Sequence, residues 1–394
     1  MKIDFSNTEV AFILKSSTQL QKAKLLFDVM AHPTMVSFLK GGVKLSFALG
    51  LPIKGIIKKT VFEHFCGGEK IEECTSRIAA LHTQHVSAIL DYSVEGKEST
   101  EDFERTKNMT IATIQTAKSN PAIPLAVFKP SGMGSHAIYE KVSSGATLTD
   151  AEKAEWAAVR ARYYEIAEAA VAADIPVMVD AEETWLQQAI DDLVEELMAK
   201  YNHNKALVFN TAQLYRWDRL DYIKKAVGRA REKGYHFGIK IVRGAYMEKE
   251  RERAKEKGYR DPIQPDKAST DRDYDAAVTF LIDNIDMCAV VVGTHNEASS
   301  QMVADSIDKK GIAKNDTRVY GSQLYGMSDN LSFNMAHAGY NVVKYLPFGP
   351  VKDVMPYLFR RAEENTSVKG QTGRELSLIS KELERRKKAK KSKS

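Results

Sequence analysis

Eight short runs decide the architecture of this chain: SAILDYSV (87–94), LAVFK (125–129), PVMVD (176–180), ALVFN (206–210), FGIKIV (237–242), AVVVGT (289–294), RVYGS (318–322) and NVVKYL (341–346). Each is apolar without a break rather than alternating, as expected of parallel strands buried on both faces. Between them lie helical patterns such as AEKAEWAAVRARYYEIAEAAVAA (151–173), ETWLQQAIDDLVEELMAKY (183–201) and DRLDYIKKAVGRAREKG (218–234). Eight strand-plus-helix units over roughly 280 residues predict an α/β fold, a (β/α)8 barrel. A doubly wound open sheet is the alternative. It lacks support, because no G-x-G-x-x-G follows the first run; Gly132, Met133 and Gly134 are too short a match.

Outward from the barrel, residues 1–86 read as a helical N-terminal segment, 87–380 as the catalytic barrel and 381–394 as a lysine-rich tail. The 394 residues carry 57 Lys and Arg against 52 Asp and Glu, a net charge of +5. The tail alone holds a net +6, so the folded body is close to neutral and a nucleic-acid-binding groove is not expected. The tail is expected to be disordered past its first turn or two. Residues 29–62 contain Lys40, Lys44, Lys54, Lys58 and Lys59 and no acid, interleaved with Phe38, Leu39, Phe47, Leu49, Ile56 and Ile57. This reads either as an amphipathic element on an anionic bilayer or as a helical face packed on the barrel. Cys66, Cys74 and Cys288 form no C-x-x-C pair, which argues against a disulfide framework and suits a reducing compartment. The N-terminus shows no signal pattern and no run approaches the roughly 18–20 apolar residues of a spanning helix. A cytoplasmic protein with peripheral contact on the inner face of a membrane is the expectation.

Chemistry in such barrels sits at the C-terminal strand ends. There the sequence places Lys129, then Asp180 with Glu182 and Glu183, then Asn210 with Gln213 and Tyr215. Lys240 and Arg243, Thr294-His295-Asn296, Gln323-Leu324 and Lys344-Tyr345 follow. Past Pro350, Tyr357, Arg360, Arg361 and Glu364 fall at i, i+3, i+4 and i+7, on one helical face. Paired guanidinium groups suit a small carboxylate or a phosphate; the competing reading is a solvated salt-bridge face. A metal site at His295, Asp180 and Glu182 has no H-x-H or H-E-x-x-H support, so no metal is expected. A Schiff-base lysine at Lys129, Lys240 or Lys344 stays open. The residues thus reach a barrel enzyme acting on a small anion, with cations available for a cofactor.

VMVDAEET (177–184), IKIVRGAYMEKE (239–250), GTHN (293–296), QLYGMS (323–328), KYLPFG (344–349) and YLFRRAEEN (357–365) together resemble the proline dehydrogenase family, in its order, over residues 87–375. The family also forms the first catalytic domain of bifunctional proline-utilisation proteins. The resemblance implies a TIM-like barrel oxidising L-proline to Δ1-pyrroline-5-carboxylate, with FAD reduced and then reoxidised by a quinone. It implies that Arg360 and Arg361, with Lys129, hold the carboxylate, and that Tyr345, Leu324 and Tyr357 close over the substrate ring. Asp180, Lys240 and Arg243 take catalytic positions. Ala181, Gln213, Lys240, Arg243, Gly244, Ala245, Lys267, Thr294, His295, Asn296 and Glu364 match positions that bind or frame the flavin. Bacterial members often carry arginine at the position of Lys240 and lysine at that of Arg243; both versions keep two cations beside the flavin ring.

Implied partners are L-proline, a quinone or other electron acceptor, an anionic membrane and a separate pyrroline-5-carboxylate dehydrogenase, since no second catalytic domain is expected after the barrel. A hydroxyproline dehydrogenase is the nearest alternative, although Tyr345 favours the unsubstituted ring. A Schiff-base lyase and a basic-tailed adaptor are the alternatives from other classes.

Overall fold

In the computed structural model, residues 2–49, 51–94, 96, 98–367 and 371–392 are described; the side chains of 33, 44, 47, 48, 364–367, 371 and 372 lie outside that description. Eight strands form one parallel sheet: β1 (Val86–Tyr92), β2 (Ala126–Phe128), β3 (Val177–Val179), β4 (Val208–Gln213), β5 (Phe237–Val242), β6 (Cys288–Gly293), β7 (Val319–Leu324) and β8 (Val342–Phe348). Their order, β1-β8-β7-β6-β5-β4-β3-β2, curls the sheet into a nearly closed barrel. β1 pairs β8 with Ile89 opposite Tyr345. At the remaining seam the Ala88 amide donates to the Ala122 carbonyl, just ahead of β2, at 2.8 Å. The doubly wound alternative is therefore set aside.

The strands read as unbroken apolar runs because successive residues serve two cores. Val86, Ala88, Leu90, Val177, Val179, Val290 and Val292 face the surrounding helices. Ile89, Val127, Met178, Phe209, Val291, Val343 and Tyr345 fill the bore. Several of the helices start where a side-chain cap satisfies the first amides. Thr149 and Glu152 form a reciprocal capping box ahead of Asp150–Ala173, Ser99 caps Thr100–Lys118, and Asp266 caps Lys267–Asp283.

Two parts differ from the sequence reading. The lysine-rich C-terminus is not a disordered tail: a helix runs over Gln371–Lys391. Leu378 and Ile379 are buried against Phe12, Leu20 and Phe27 of the N-terminal segment, with Leu376 and Leu383 alongside. Glu382 is fully buried and accepts from Thr8 Oγ1 at 2.9 Å and from Arg385 and Arg386. Arg386 in turn donates to the Phe12 and Lys15 carbonyls. Counting charges along the segment hid an apolar stripe at helical spacing, which is what orders it.

The lysines of 29–62 are also partly spent within the chain. Lys40 pairs with Glu363, and Lys54 and Lys58 pair with Glu69 at 2.9 and 2.7 Å. Ile57 is buried, yet Phe38 is 80% exposed, Ile56 67% and Leu49 65%. This element therefore packs one edge on the barrel and leaves an apolar face outward. Phe47 and Lys44 have side chains outside the described set. Among the described residues no helix is long and apolar enough to cross a membrane.

Candidate active site

The C-terminal mouth of the barrel carries one continuous chain of charges. Asp91, on β1, accepts from Lys129 at 2.7 and 2.9 Å. Lys129 lies 3.9 Å from Asp180. Asp180 accepts from Lys240 of β5 at 2.5 Å, and Lys240 donates to the Tyr345 hydroxyl of β8 at 2.9 Å. Five residues from five strands or strand ends thus meet inside the bore. Two carboxylates neutralise two ammonium groups, which is what allows charges to persist out of water. Burial works to raise the Asp91 carboxyl, but the Lys129 ammonium overrides it and holds the group below the ordinary carboxylate range. Burial, with Asp180 and Asp91 nearby, pushes the Tyr345 phenol well up, so it stays protonated.

A second cluster lies at the rim, after β5 and β6. The Arg243 guanidinium stacks on Tyr274, 4.3 Å from the ring centre. It donates to Asp271 at 2.7 Å and to Thr294 Oγ1 and Ser299 Oγ at 3.0 Å each. Lys267 pairs with the same Asp271, which ties it to Arg243. Gly244 follows with φ +141°, and a Cβ there would sit 2.5 Å from the Tyr215 ring, so only glycine fits this turn. The turn brings the Ala245 amide to Gln213 Oε1 at 3.3 Å, while Gln213 Nε2 donates to the Glu182 carbonyl at 2.7 Å.

Beside it, His295 Nδ1 meets Ser328 Oγ at 2.8 Å. Burial, then the charges of Lys344 and Arg361, push this imidazole down to about 3, so it is neutral. Above the mouth, the helix Val351–Ser367 carries Tyr357, Arg360 and Arg361. Tyr357 is buried, and Arg361 lies 5.0 Å from its ring centre. Leu324, at the end of β7, packs against the bore core and pairs in register with Tyr345.

A sequence model of the family described as proline dehydrogenase matches residues 74–374. The chain belongs to the proline dehydrogenase family. The proline dehydrogenase 1, mitochondrial, of Arabidopsis thaliana is 30% identical, over 97% of this chain and 85% of that protein. The carbapenem antibiotics biosynthesis protein CarD of Pectobacterium carotovorum subsp. carotovorum is 34% identical, over 82% of this chain and 83% of that one. Proline dehydrogenase 1, mitochondrial, of Caenorhabditis elegans is 40% identical over 61% of this chain, which spans 40% of the nematode protein's length. Among solved structures, proline utilization A from Bdellovibrio bacteriovorus superposes with a TM-score of 0.71 at 21% identity. It covers 80% of this chain, which spans 34% of that one, and the likeness is one of fold.

Within this family member, the structure gathers Lys129, Asp180, Lys240 and Tyr345 as one group and Gln213, Arg243, Gly244, Ala245, Lys267 and Thr294 as another. Ala181 follows β3 between Asp180 and Glu182, half-buried. Three residues fall differently. Asn296 spends its side chain capping the helix Glu297–Lys309 through the Ser299 amide. Asn210 lies within β4 rather than at its end, and donates outward to Asp191 and Tyr222. Lys344 points behind the barrel wall, where it pairs with Asp329 at 2.9 Å. The Glu364 side chain is outside the described residues.

One residue of the site was missed, and another, Glu182, was named at its strand end but given a different role. Asp91 sits inside a run that otherwise reads as apolar strand, and a lone acid there was the available signal. Glu182 accepts from Ser131 N and Oγ at 2.7 and 2.6 Å, fastening the turn after Lys129. Burial pushes its carboxyl up to about 7. Among the described residues, no group of three or more His, Cys, Asp or Glu side chains is arranged to hold a metal ion.

Proposed function

We propose that the chain oxidises L-proline to Δ1-pyrroline-5-carboxylate with FAD as its resident cofactor. The observation that carries this is the Asp91–Lys129–Asp180–Lys240–Tyr345 chain in the bore, with the Arg360–Arg361 pair on the helix above it. The donor set fits a flavin. A buried ammonium (Lys240) and a guanidinium at the rim (Arg243) stand ready for a ring that becomes electron-rich, and exposed Lys267 suits its phosphates. FAD supplies the acceptor for the hydride that leaves C5 of proline.

The remaining work belongs to the side chains. Arg360 and Arg361, with Lys129, clamp the carboxylate and so fix the position of C5. Tyr345, Leu324 and Tyr357 close on the ring and exclude water. Lys240, in contact with both Asp180 and Tyr345, would supply the positive charge inside the bore. Arg243, fastened outward to Asp271, Thr294 and Ser299, seats the cofactor. Gln213, the Ala245 amide, Ala181, Thr294, His295 and Glu364 frame it.

Reoxidation by a quinone, and hand-over of the product to a separate dehydrogenase, belong to the same reading. The exposed Phe38, Leu49 and Ile56 face, with lysines along it, supports contact with an anionic bilayer where a quinone resides. Vesicle binding that survives Phe38→Asp unchanged would remove that part. The core of the proposal is tested by colour. Purified protein should show flavin absorbance that bleaches on anaerobic addition of L-proline, and less readily with hydroxyproline. A colourless protein trapped with its substrate by borohydride would point instead to a Schiff-base lysine.

A further inference from the structure

The first turns of the helix Gln371–Lys391 reach the loops that follow β6 and β7. Arg374 pairs with Glu297, directly after the Thr294–Asn296 segment, and Glu297 also accepts from Asn330 at 3.0 Å. Next to Arg374, the buried Glu375 carboxylate accepts from the backbone amide of Ser328 at 2.5 Å. Ser328 has φ +50°, a left-handed conformation that a Cβ disfavours and that its surroundings must therefore impose.

The same turn is pinned from the opposite side. Gly326 has φ +82°, and a Cβ there would lie 2.4 Å from the His64 carbonyl oxygen. His64 Nε2 donates to the Gly326 carbonyl at 2.9 Å. Held this way, Ser328 Oγ reaches His295 Nδ1. A neutral imidazole has one donor and one acceptor nitrogen, so this contact occupies Nδ1 and leaves Nε2 as the ring's other polar atom. The far end of the helix is anchored independently, by Glu382 on Thr8 and by Arg386 on the Phe12 and Lys15 carbonyls.

We propose that Glu375 is a positioning residue for the cofactor seat: the C-terminal helix is a strap that fixes Ser328, and through it His295, so that the barrel retains its flavin. This rests on the flavin reading above. The Glu375 carboxylate acts on the Ser328 amide, so its loss is expected to be read in cofactor retention rather than in substrate affinity. Removing the acceptor leaves a buried amide without its partner in a turn that already resists its conformation.

The test uses the full-length holoenzyme and measures FAD affinity by titration beside the KM for proline. Glu375→Ala should weaken FAD binding by roughly tenfold or more, with the proline KM within about twofold of wild type. Glu375→Gln keeps an acceptor oxygen and should restore the FAD affinity. Ser328→Ala removes only the hydroxyl that meets His295 and keeps the assignment testable if Glu375→Ala does not fold; it should weaken FAD in the same direction. Wild-type FAD affinity in Glu375→Ala or Ser328→Ala would overturn the strap, as would a glutamine variant that fails to rescue. A wild-type protein that takes up no FAD overturns the flavin reading itself, and the strap with it.

Discussion

Lys240 and Lys344 are both ammonium groups sealed within the barrel wall, on β5 and β8, and each meets an aspartate, at 2.5 and 2.9 Å. Lys240 points into the bore, where Asp180 and Tyr345 connect it to the mouth. Lys344 points the other way. It contacts Asp329, which also takes Lys15 at 2.7 Å, and the carbonyls of Leu324 and Met327, beneath the two terminal segments. One strand position decides the difference. Alternate residues face opposite sides, so Lys344 joins the scaffold while its neighbour Tyr345 joins the site. The buried ion pair on the outer face ties Lys15 of the N-terminal segment to the barrel; in the proposed function the pair on the inner face offers its charge to the reaction.

The comparison is broken most sharply by removing the outer lysine. Lys344→Met leaves Asp329 with Lys15 alone and should lower unfolding free energy by about 3 kcal/mol, read by urea titration. The kcat of the folded enzyme should remain within about twofold of wild type. A large loss of kcat with unchanged stability would place Lys344 in the site after all.

Acid titration gives a smaller effect with opposite signs on the two sides. On the outer side, burial, then the nearby Lys15 charge, push His64 down from its ordinary 6.5 to about 3. The unfolded chain therefore binds the proton more tightly, and stability is lost as pH falls from 6.5 toward 3. On the inner side, Glu182 is raised from 4.5 to about 7, so the folded state holds its proton more tightly and stability is regained as pH falls from 7 to 4.5. Asp91, held low, loses stability only below its ordinary 3.8. His64→Phe should therefore flatten the acid limb of stability between pH 6 and 4 by about 1.4 kcal/mol per pH unit, and Glu182→Gln should steepen it. Reversed signs in the two variants would undo the assignment of sides.

Much of this was legible in the residues. Eight apolar runs announce the barrel because parallel strands hide both faces. Lys129, Asp180 and Lys240 stand out because a charge in such a run needs a reason. What a one-dimensional reading does not carry is direction. Lys344 and Tyr345 are adjacent and both amphipathic, and only the register of β8 against β1 and β7 separates them. Asp91 is a single acid inside a run whose other residues speak for a strand, so it passes as part of one. The C-terminal helix was obscured for a different reason: eight basic residues dominate its charge, while the apolar residues that dock it are Leu378 and Ile379, with Leu376 and Leu383 alongside. Its link to Ser328 joins residues 47 positions apart in sequence and has no local signature.

The central claim is that the inward chain ending at Lys240 and Tyr345 is the reacting centre. Anaerobic rapid-mixing measurement of flavin reduction by L-proline in Lys240→Met tests it most directly. The account predicts a protein that still holds its flavin but is reduced roughly 10²–10³-fold more slowly. Reduction within about twofold of the wild-type rate would contradict it.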